Sequence, residues 1–270
     1  MRLSIITINR NNETGLAKTL DSVIAQTSNS FEYIVVDGAS IDDSVSLIQQ
    51  ASAKREIHWI SEKDTGIYNA MNKGIRMAQG EYLMFLNSGD YLVDKCVVES
   101  IMSRAESENF PPILYGNIVK IWPDGHTHID RGWSGNLTFL SFYQGALNHV
   151  GTLIKADLFS KYGFYNESLK ICSDWEWFIR VIGIQGVSAV YTDLNTVYFD
   201  MTGVSEGGEE SRAIIRQERK QVLQSLLPTA VLADYRQYDA DLRMIRRLHR
   251  HPFAFRLVRF IERICFKLEK

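Results

Sequence analysis

Residues 34–40 read Ile-Val-Val-Asp-Gly-Ala-Ser. Its β-branched start predicts a buried strand over residues 32–37, and Gly38 opens a turn directly behind that strand. A glycine in such a turn lets a ligand approach the backbone closely, and the Asp37 carboxylate can accept a hydrogen bond from a base or a ribose hydroxyl. A plain turn in which Asp42 or Ser40 caps the next helix explains the same residues, so both interpretations stay open.

Strands and helices alternate on both sides of that stretch. We predict further strands at residues 3–8, 57–61 and 81–86, and helices at 13–26, 43–52 and 67–79, the last with Gly80 as its C-cap. Alternation with short links predicts an α/β fold, with a mostly parallel sheet covered by helices on both faces. Ligands of such sheets bind beyond the carboxyl ends of the strands.

The remainder of the chain is less regular. Strands are predicted at residues 113–122, 127–131, 187–191 and 195–200, a helix at 173–182, and a charged helical region from 206 onward. This pattern predicts two domains, 1–205 and 206–270.

A second polar turn follows the fourth strand, where residues 85–90 read Phe-Leu-Asn-Ser-Gly-Asp. Asn87 and Asp90 carry oxygen ligands suited to Mg²⁺ or Mn²⁺ that arrives with a diphosphate. A structural turn with Gly89 at a positive φ is the alternative. Two such turns at one sheet edge converge on one cleft, which favours a ligand site.

Several classes of protein are disfavoured by what the sequence lacks. No GxGxxG follows the first strand and no GxxxxGK[ST] occurs, which argues against a dehydrogenase and a P-loop NTPase. A net charge of −2 gives no reason to expect nucleic acid as a partner. Three dispersed cysteines and the lack of a membrane-length apolar run predict a cytoplasmic protein.

Taken together, the motifs resemble those of a family 2 glycosyltransferase with the GT-A fold, over residues 1–205. The resemblance is to the bacterial branch that builds exopolysaccharide or O-antigen. It is carried by residues 5–7 (Ile-Ile-Thr) with Asn11, 34–40 with Asp42, 62–74 (Glu-Lys-Asp-Thr-Gly-Ile-Tyr-Asn-Ala-Met-Asn-Lys-Gly), 78–82 (Ala-Gln-Gly-Glu-Tyr) and 85–90.

The resemblance implies a substrate-binding role for eight residues of the first half of the chain. Thr7 and Asp37 would contact the nucleobase, and the set comprises Thr7, Asn11, Asp37, Asp42, Asp64, Asn72, Gly74 and Asn87. The turn at 87–90 occupies the place of the family's DxD motif. Asn87 and Gly89 stand where the common pattern has aspartates, so Asp90 is the one charged ligand left there for Mg²⁺ or Mn²⁺.

Residues 172–177, Cys-Ser-Asp-Trp-Glu-Trp, resemble the family segment that supplies the catalytic base. Asp174 matches that base, which would take the proton of the acceptor hydroxyl. Glu176 is its competitor, and a helix-capping role for Asp174 is the structural alternative. His149 stands where relatives place a histidine near the acceptor, although a lone histidine is equally well a structural residue.

The implied function is that of an inverting glycosyltransferase. It would move a sugar from a UDP- or GDP-sugar to a hydroxyl of a glycan or lipid-linked acceptor. A nucleotidyltransferase is one alternative, but residues 7–12 lack the glycines of its phosphate loop. A non-catalytic nucleotide-sugar or glycan-binding protein is the other, and Asn87 and Gly89 give it weight.

The C-terminal segment, residues 243–270, holds nine arginines and lysines against two glutamates, whereas the chain as a whole carries −2. Its apolar and basic residues recur on different faces of one predicted helix. This pattern is typical of a helix that lies on an anionic membrane, here the inner face of the plasma membrane. A helix packed on its own domain, or on a second copy in a homodimer, is the alternative.

Overall fold

The computed structural model describes residues 3–203 and 206–268. By contacts the chain divides into two compact units, Met1–Lys220 and Gln221–Lys270. The strands are β1 (Leu3–Asn9), β2 (Phe31–Asp37), β3 (His58–Ser61), β4 (Tyr82–Phe85), β5 (Tyr91–Leu92), β6 (Ile113–Ile121), β7 (Thr127–Asp130), β8 (Leu153–Lys155) and β9 (Ala189–Asp200).

Ten α-helices are described with these strands. They are α1 (Glu13–Ile24), α2 (Ser44–Ser52), α3 (Ile67–Met77), α4 (Val97–Ser107), α5 (Phe139–Gln144), α6 (Asp157–Tyr162), α7 (Ser173–Phe178), α8 (Gly208–Leu226), α9 (Thr229–His249) and α10 (Pro252–Leu268). The helical region from residue 206 is therefore confirmed. The domain boundary at 205/206 stays a prediction, because the division into compact units falls inside α8.

One nine-stranded sheet has the order β3-β2-β1-β4-β8-β6-β9-β5, with β7 paired to β6. The first four strands are parallel, as predicted. Beyond β4 the sheet is mixed, because β8 runs antiparallel to both β4 and β6 while β6 and β9 are parallel. Every residue of β1 and β2 is buried, which explains their unbroken apolar runs. The predicted α/β class, with a C-terminal helical extension, is confirmed.

Gly80 is not a helix C-cap, and that prediction was wrong. Helix α3 already ends at Met77, and Ala78 is extended with ψ 138°. The backbone N–H of Gly80 instead donates to the buried Glu32 carboxylate at 2.9 Å and to the Ser4 hydroxyl at 2.8 Å. A buried carboxylate needs such partners, so it draws the chain out of the helix.

Strand β9 is continuous over twelve residues where two strands were predicted. The predicted strands left residues 192–194, Thr-Asp-Leu, as an interruption between them. In the structure, register shifts around Asn117 on β6 absorb the irregularity. The Asn117 amide donates to the Asp193 carbonyl at 2.9 Å and to the Asn195 side chain at 3.1 Å. The predicted helix at 173–182 is also divided, since α7 continues as π-helix over Ile179–Ile184.

Gly74 lies where α3 crosses β1. A Cβ at this position would stand 2.4 Å from Cγ2 of Ile6, which is fully buried. We expect Gly74→Ala to destabilise the fold, because overpacking costs ~1–3 kcal/mol and exceeds the ~1 kcal/mol that alanine gains over glycine in a helix. Urea unfolding measures the change. Gly145→Ala is the control, since its nearest contact would be an ordinary 3.5 Å. Equal stability of Gly74→Ala and the wild type would contradict this packing role.

Candidate active site

A cleft of about 710 Å³ opens beyond the carboxyl ends of β1, β4 and β9. Its volume lies in the range of small-molecule sites. The far wall comes from α7 and from α8. Five of the predicted site residues line the cleft, namely Asp64, Asn87, Asp90, His149 and Asp174. The 87–90 turn lines this cleft, whereas Asp37 does not, so the structure does not bring both predicted polar turns to the cleft.

Asp37 is fully buried and saturated with hydrogen bonds. Its carboxylate accepts from the Asn9 amide at 2.9 Å, from the hydroxyl and backbone N–H of Ser40, and from the Ser61 hydroxyl at 2.6 Å. Burial alone would raise the pKa of Asp37, but these hydrogen bonds outweigh it and hold the pKa below its usual value. The ionised carboxylate thus fastens together the ends of β1, β2 and β3.

Three other predicted site residues make hydrogen bonds that hold together the structure behind the cleft. Thr7 is buried and donates to the Leu86 carbonyl at 2.8 Å. Asn11 accepts from the Ile41 N–H at 2.9 Å, and Asp42 accepts from the Glu13 N–H at 3.0 Å. These contacts hold the loop after β1 against the loop after β2.

Asn72 and Gly74 both lie on the buried face of α3. Gly74 packs against β1 as described above, whereas Asn72 makes hydrogen bonds. The Asn72 amide donates to the Tyr165 carbonyl at 2.9 Å and to the Glu167 carboxylate at 2.8 Å. Its side-chain oxygen accepts from the Tyr165 N–H at 3.1 Å. Asn72 therefore fixes the loop at 165–167 onto α3.

Asp64 reaches the cleft directly beside Gly38. A Cβ on Gly38 would stand 2.2 Å from the Asp64 Oδ2 atom, so any larger residue would force that carboxylate to move. The Asp64 carboxylate accepts from the Gly66 N–H at 3.1 Å and lies 3.8 Å from the Arg10 guanidinium. The close approach of the Asp64 carboxylate thus explains why a glycine follows Asp37.

At the β4 end of the cleft, Asp90 faces Asp200. The Asp90 carboxylate accepts from the Asp200 N–H at 3.0 Å and is buried. Burial raises the pKa of Asp90 to about 8, and the negative charge of Asp200 adds to the rise. The side-chain oxygen of Asn87 is buried and has no hydrogen-bond partner within the described ranges. Two carboxylates and an orphan amide oxygen are a donor set suited to a hard divalent cation. Across residues 3–203 and 206–268, however, no group of three or more acidic, histidine or cysteine side chains forms a closed metal cluster.

Asp200 was missed from sequence. It ends β9, and the rule that singled out Asp37 and Asn87, a polar residue at the carboxyl end of a strand, applies to it equally. The signal was therefore present in the strand predicted at 195–200. The sequence does not show that β9 lies between β6 and β5. This strand order brings the carboxyl end of β9 next to the 87–90 turn.

Asp174 projects from the first turn of α7 with its side chain about one quarter exposed. One carboxylate oxygen accepts from the Tyr68 hydroxyl at 2.8 Å, and the other lies 3.6 Å from Nδ1 of His149. Burial, together with the charge of Asp174, raises the pKa of Tyr68 well above its usual value, so the phenol keeps its proton. Burial lowers the pKa of His149, which favours a neutral imidazole.

Glu176, the competitor of Asp174, points elsewhere. Its carboxylate is held by the Arg180 guanidinium at 2.9 Å, and it does not line the cleft. A glutamate paired in this way is committed to the packing of α7, which leaves Asp174 as the carboxylate of this segment that faces the cleft.

Helix α8 supplies two further residues that sequence reasoning missed. The buried Glu218 carboxylate accepts from three consecutive backbone N–H groups, of Lys170 at 2.5 Å, Ile171 at 3.0 Å and Cys172 at 2.9 Å. It thereby fixes the segment directly before Asp174. Arg219 follows, with its guanidinium carbon 4.9 Å from the centroid of the Trp175 ring. In the sequence both residues belong to a predicted charged helix, and no motif distinguishes them from its other charged residues.

Comparisons with known proteins agree with this geometry. The model of the family described as Glycosyl transferase family 2 matches residues 4–169. A PGL/p-HBAD biosynthesis glycosyltransferase of Mycobacterium bovis is 28% identical over 179 residues, covering 66% of this chain and 68% of the relative.

Two solved structures share the fold. TarS 1–349 of S. aureus in complex with UDP superposes with a TM-score of 0.58 at 18% identity, over 74% of this chain and 60% of that one. The mannosyltransferase PcManGT of Pyrobaculum calidifontis, in complex with GDP-Man and Mn²⁺, gives a TM-score of 0.53 at 15% identity, over 71% and 54%. The match to the family model spans more than half of the chain. The chain therefore belongs to glycosyl transferase family 2.

Proposed function

We propose that this glycosyltransferase moves a sugar from a UDP- or GDP-sugar to an acceptor hydroxyl, with inversion and with the help of a divalent cation. One observation carries the proposal: Asp174 and the Asp90–Asp200 pair line the same cleft. A base at one place and paired carboxylates at another are what an in-line displacement of a nucleoside diphosphate requires. The UDP and GDP-Man bound by the two structural neighbours support this donor class.

The donor would enter over the ends of β1 and β4. Asp64 lines this part of the cleft, while Thr7, Asn11, Asp37, Asp42, Asn72 and Gly74 would shape it from behind. The direct nucleobase contacts suggested for Thr7 and Asp37 stay predictions. Their saturated hydrogen bonds support a role in holding the wall rigid.

Asp90, Asp200 and the side-chain oxygen of Asn87 would hold the cation. Mg²⁺ or Mn²⁺ bound there supplies positive charge for the diphosphate leaving group. The raised pKa of Asp90 supports this proposal, because a buried carboxyl beside a second carboxylate is best stabilised by a cation.

Asp174 would take the proton of the attacking hydroxyl. Tyr68 donates a hydrogen bond to the carboxylate and so fixes its orientation. Neutral His149, buried against Phe85 with its ring centroid 5.3 Å away, closes the other side of the carboxylate. A single base acting opposite the leaving group inverts the anomeric centre. The acceptor would be a glycan or a lipid-linked saccharide of the cell surface. The mycobacterial relative, a glycosyltransferase of PGL/p-HBAD biosynthesis, likewise acts in a biosynthetic route.

A thermal-shift panel of nucleotides and nucleotide-sugars, with and without Mn²⁺, tests the proposal. A donor present at about a hundred times its Kd stabilises the protein by ~2.7 kcal/mol, so the correct base and sugar should stand out. Slow hydrolysis of that donor with Mn²⁺ distinguishes an enzyme from a non-catalytic binder. Absence of stabilisation by any nucleoside diphosphate would contradict the proposal.

We also propose that α10 docks the protein on the anionic inner face of the plasma membrane. No described helix is long and apolar enough to cross a membrane. Helix α10 leaves large apolar side chains in water, with Phe253 88%, Leu257 56% and Phe260 62% exposed. Arg256 and Arg259 lie on the same helix, and each basic residue near an anionic surface contributes ~1 kcal/mol.

Vesicle sedimentation tests the membrane proposal. The full chain should sediment with vesicles containing anionic lipid, and high salt should release it because the Debye length falls to ~3 Å at 1 M. Joint replacement of Arg256 and Arg259 by glutamine should weaken binding by roughly 30-fold, the equivalent of ~2 kcal/mol. Equal binding to neutral and anionic vesicles would contradict recognition of the anionic surface. No binding to either would favour a helix packed on a second copy, which light scattering would detect.

A further inference from the structure

Arg219 projects into the cleft from a firmly held turn of α8. The adjacent Glu218 caps three backbone N–H groups, so the position of this turn is fixed. The Arg219 guanidinium lies over the Trp175 ring and forms part of the cleft wall. A ring contact of this kind attracts the cation but supplies no oxygen acceptor for the guanidinium N–H groups.

Arg219 is unpaired, in contrast to the other long cationic side chains of the wall. Arg10 lies 3.8 Å from Asp64, and Lys120 lies 2.8 Å from Asp130. For Arg219 the described part of the chain offers no carboxylate within ion-pair distance, and its Nε atom is buried without an acceptor. A guanidinium with no paired carboxylate keeps its full positive charge at the cleft wall, so an anionic ligand that fills the cleft is stabilised by pairing with it.

The missing partner must carry negative charge. Neutral sugar hydroxyls would accept hydrogen bonds but would remove water without compensating the charge of the guanidinium. A carboxylate or a phosphate compensates it and matches the planar N–H fork with two parallel hydrogen bonds.

Trp175 follows Asp174 directly, and Asp174 is the residue proposed to act on the acceptor. The cation site proposed for the donor diphosphate is formed by other elements, at Asp90 and Asp200. On this basis, and resting on the proposed function, we propose that Arg219 binds an anionic group of the acceptor, the carboxylate of an acidic sugar or a phosphate.

Titration with anions in the presence of saturating nucleoside diphosphate and Mg²⁺ tests the proposal. The probes are inorganic phosphate and glucuronic acid, with glucose as the neutral control, and isothermal calorimetry reads out binding to the full chain. We expect Arg219→Gln to weaken binding of the preferred anion about 10- to 100-fold, and Arg219→Lys to weaken it less, because lysine keeps the charge and loses the fork. Arg216→Gln is the matched control, since Arg216 lies on the same helix, pairs with Glu209 and is not part of the cleft wall.

Three results would overturn the proposal. The first is anion binding in Arg219→Gln that equals that of the wild type. The second is a wild type that binds neither anion once the nucleotide is in place. A loss of nucleoside diphosphate affinity in Arg219→Gln without a loss of anion affinity would assign Arg219 to the donor instead. If the wild type binds no nucleotide at all, the proposed function fails by itself, and the same titration without nucleotide still tests the anion site.

Discussion

Replacing Asp174 with asparagine should lower kcat at least ~100-fold, the lower end of what removal of a general base costs. Asparagine keeps an oxygen to accept from the Tyr68 hydroxyl, so the geometry of α7 is retained while the proton acceptor is lost. Affinity for the donor should change little, because the base acts on the acceptor. Steady-state transfer kinetics and a separate donor titration measure the two effects.

Glu176→Gln is the matched control, two residues away on the same short helix. Its carboxylate pairs with Arg180, so the variant should lose stability and keep most of its kcat. If Asp174→Asn retains near-normal turnover, or if Glu176→Gln shows the larger loss of kcat, Asp174 is not the base.

Asp90→Asn should abolish the tightening of nucleoside diphosphate binding by Mn²⁺. The variant keeps an oxygen to accept from the Asp200 N–H, so the turn after β4 is preserved. Losing one of two carboxylates removes most of the attraction for a divalent cation. Calorimetric titration of UDP or GDP, with and without Mn²⁺, measures the effect.

The stability of the metal-free protein provides the control for this variant. The pKa of Asp90 is raised to about 8 in the folded chain from an ordinary value of 3.8, so protonation of this carboxyl favours folding. That contribution is full below pH 3.8 and is lost progressively as the pH rises from 3.8 to about 8. Asparagine stays neutral, so the melting temperature of the variant should equal or exceed that of the wild type at alkaline pH. Metal-dependent tightening that survives in Asp90→Asn would place the cation elsewhere.

The parts of the fold that follow from local pattern were predictable. Two sequence patterns were enough to predict the parallel half of the sheet. They are the unbroken apolar runs of β1 and β2 and the helical periodicity between the first strands. Gly80 was misassigned because its conformation depends on Glu32, a buried partner distant in sequence. The two strands predicted at 187–200 are one because Asn117, on another strand, supports the irregular stretch.

The residues of the candidate site also fall into two groups, those predicted from motifs and those that only the tertiary structure reveals. Asp90 and Asp174 stand in motifs, and both line the cleft. No motif marks three further residues of the site, Asp200, Glu218 and Arg219. The order of the strands and the path of α8 place them there, and neither could be predicted from the sequence. Asp37 lies at the predicted strand end, but the sequence could not reveal that three neighbouring side chains saturate its carboxylate.

Tyr68 has one hydroxyl hydrogen and two acceptors, the Ile171 carbonyl at 2.5 Å and Asp174 at 2.8 Å. If Asp174 takes up the acceptor proton as proposed, the phenol could turn its hydrogen to the carbonyl and accept from the new carboxylic acid. Rotation about one C–O bond would then exchange the donor and acceptor roles without movement of heavy atoms. A centre built in this way would need little reorganisation during turnover.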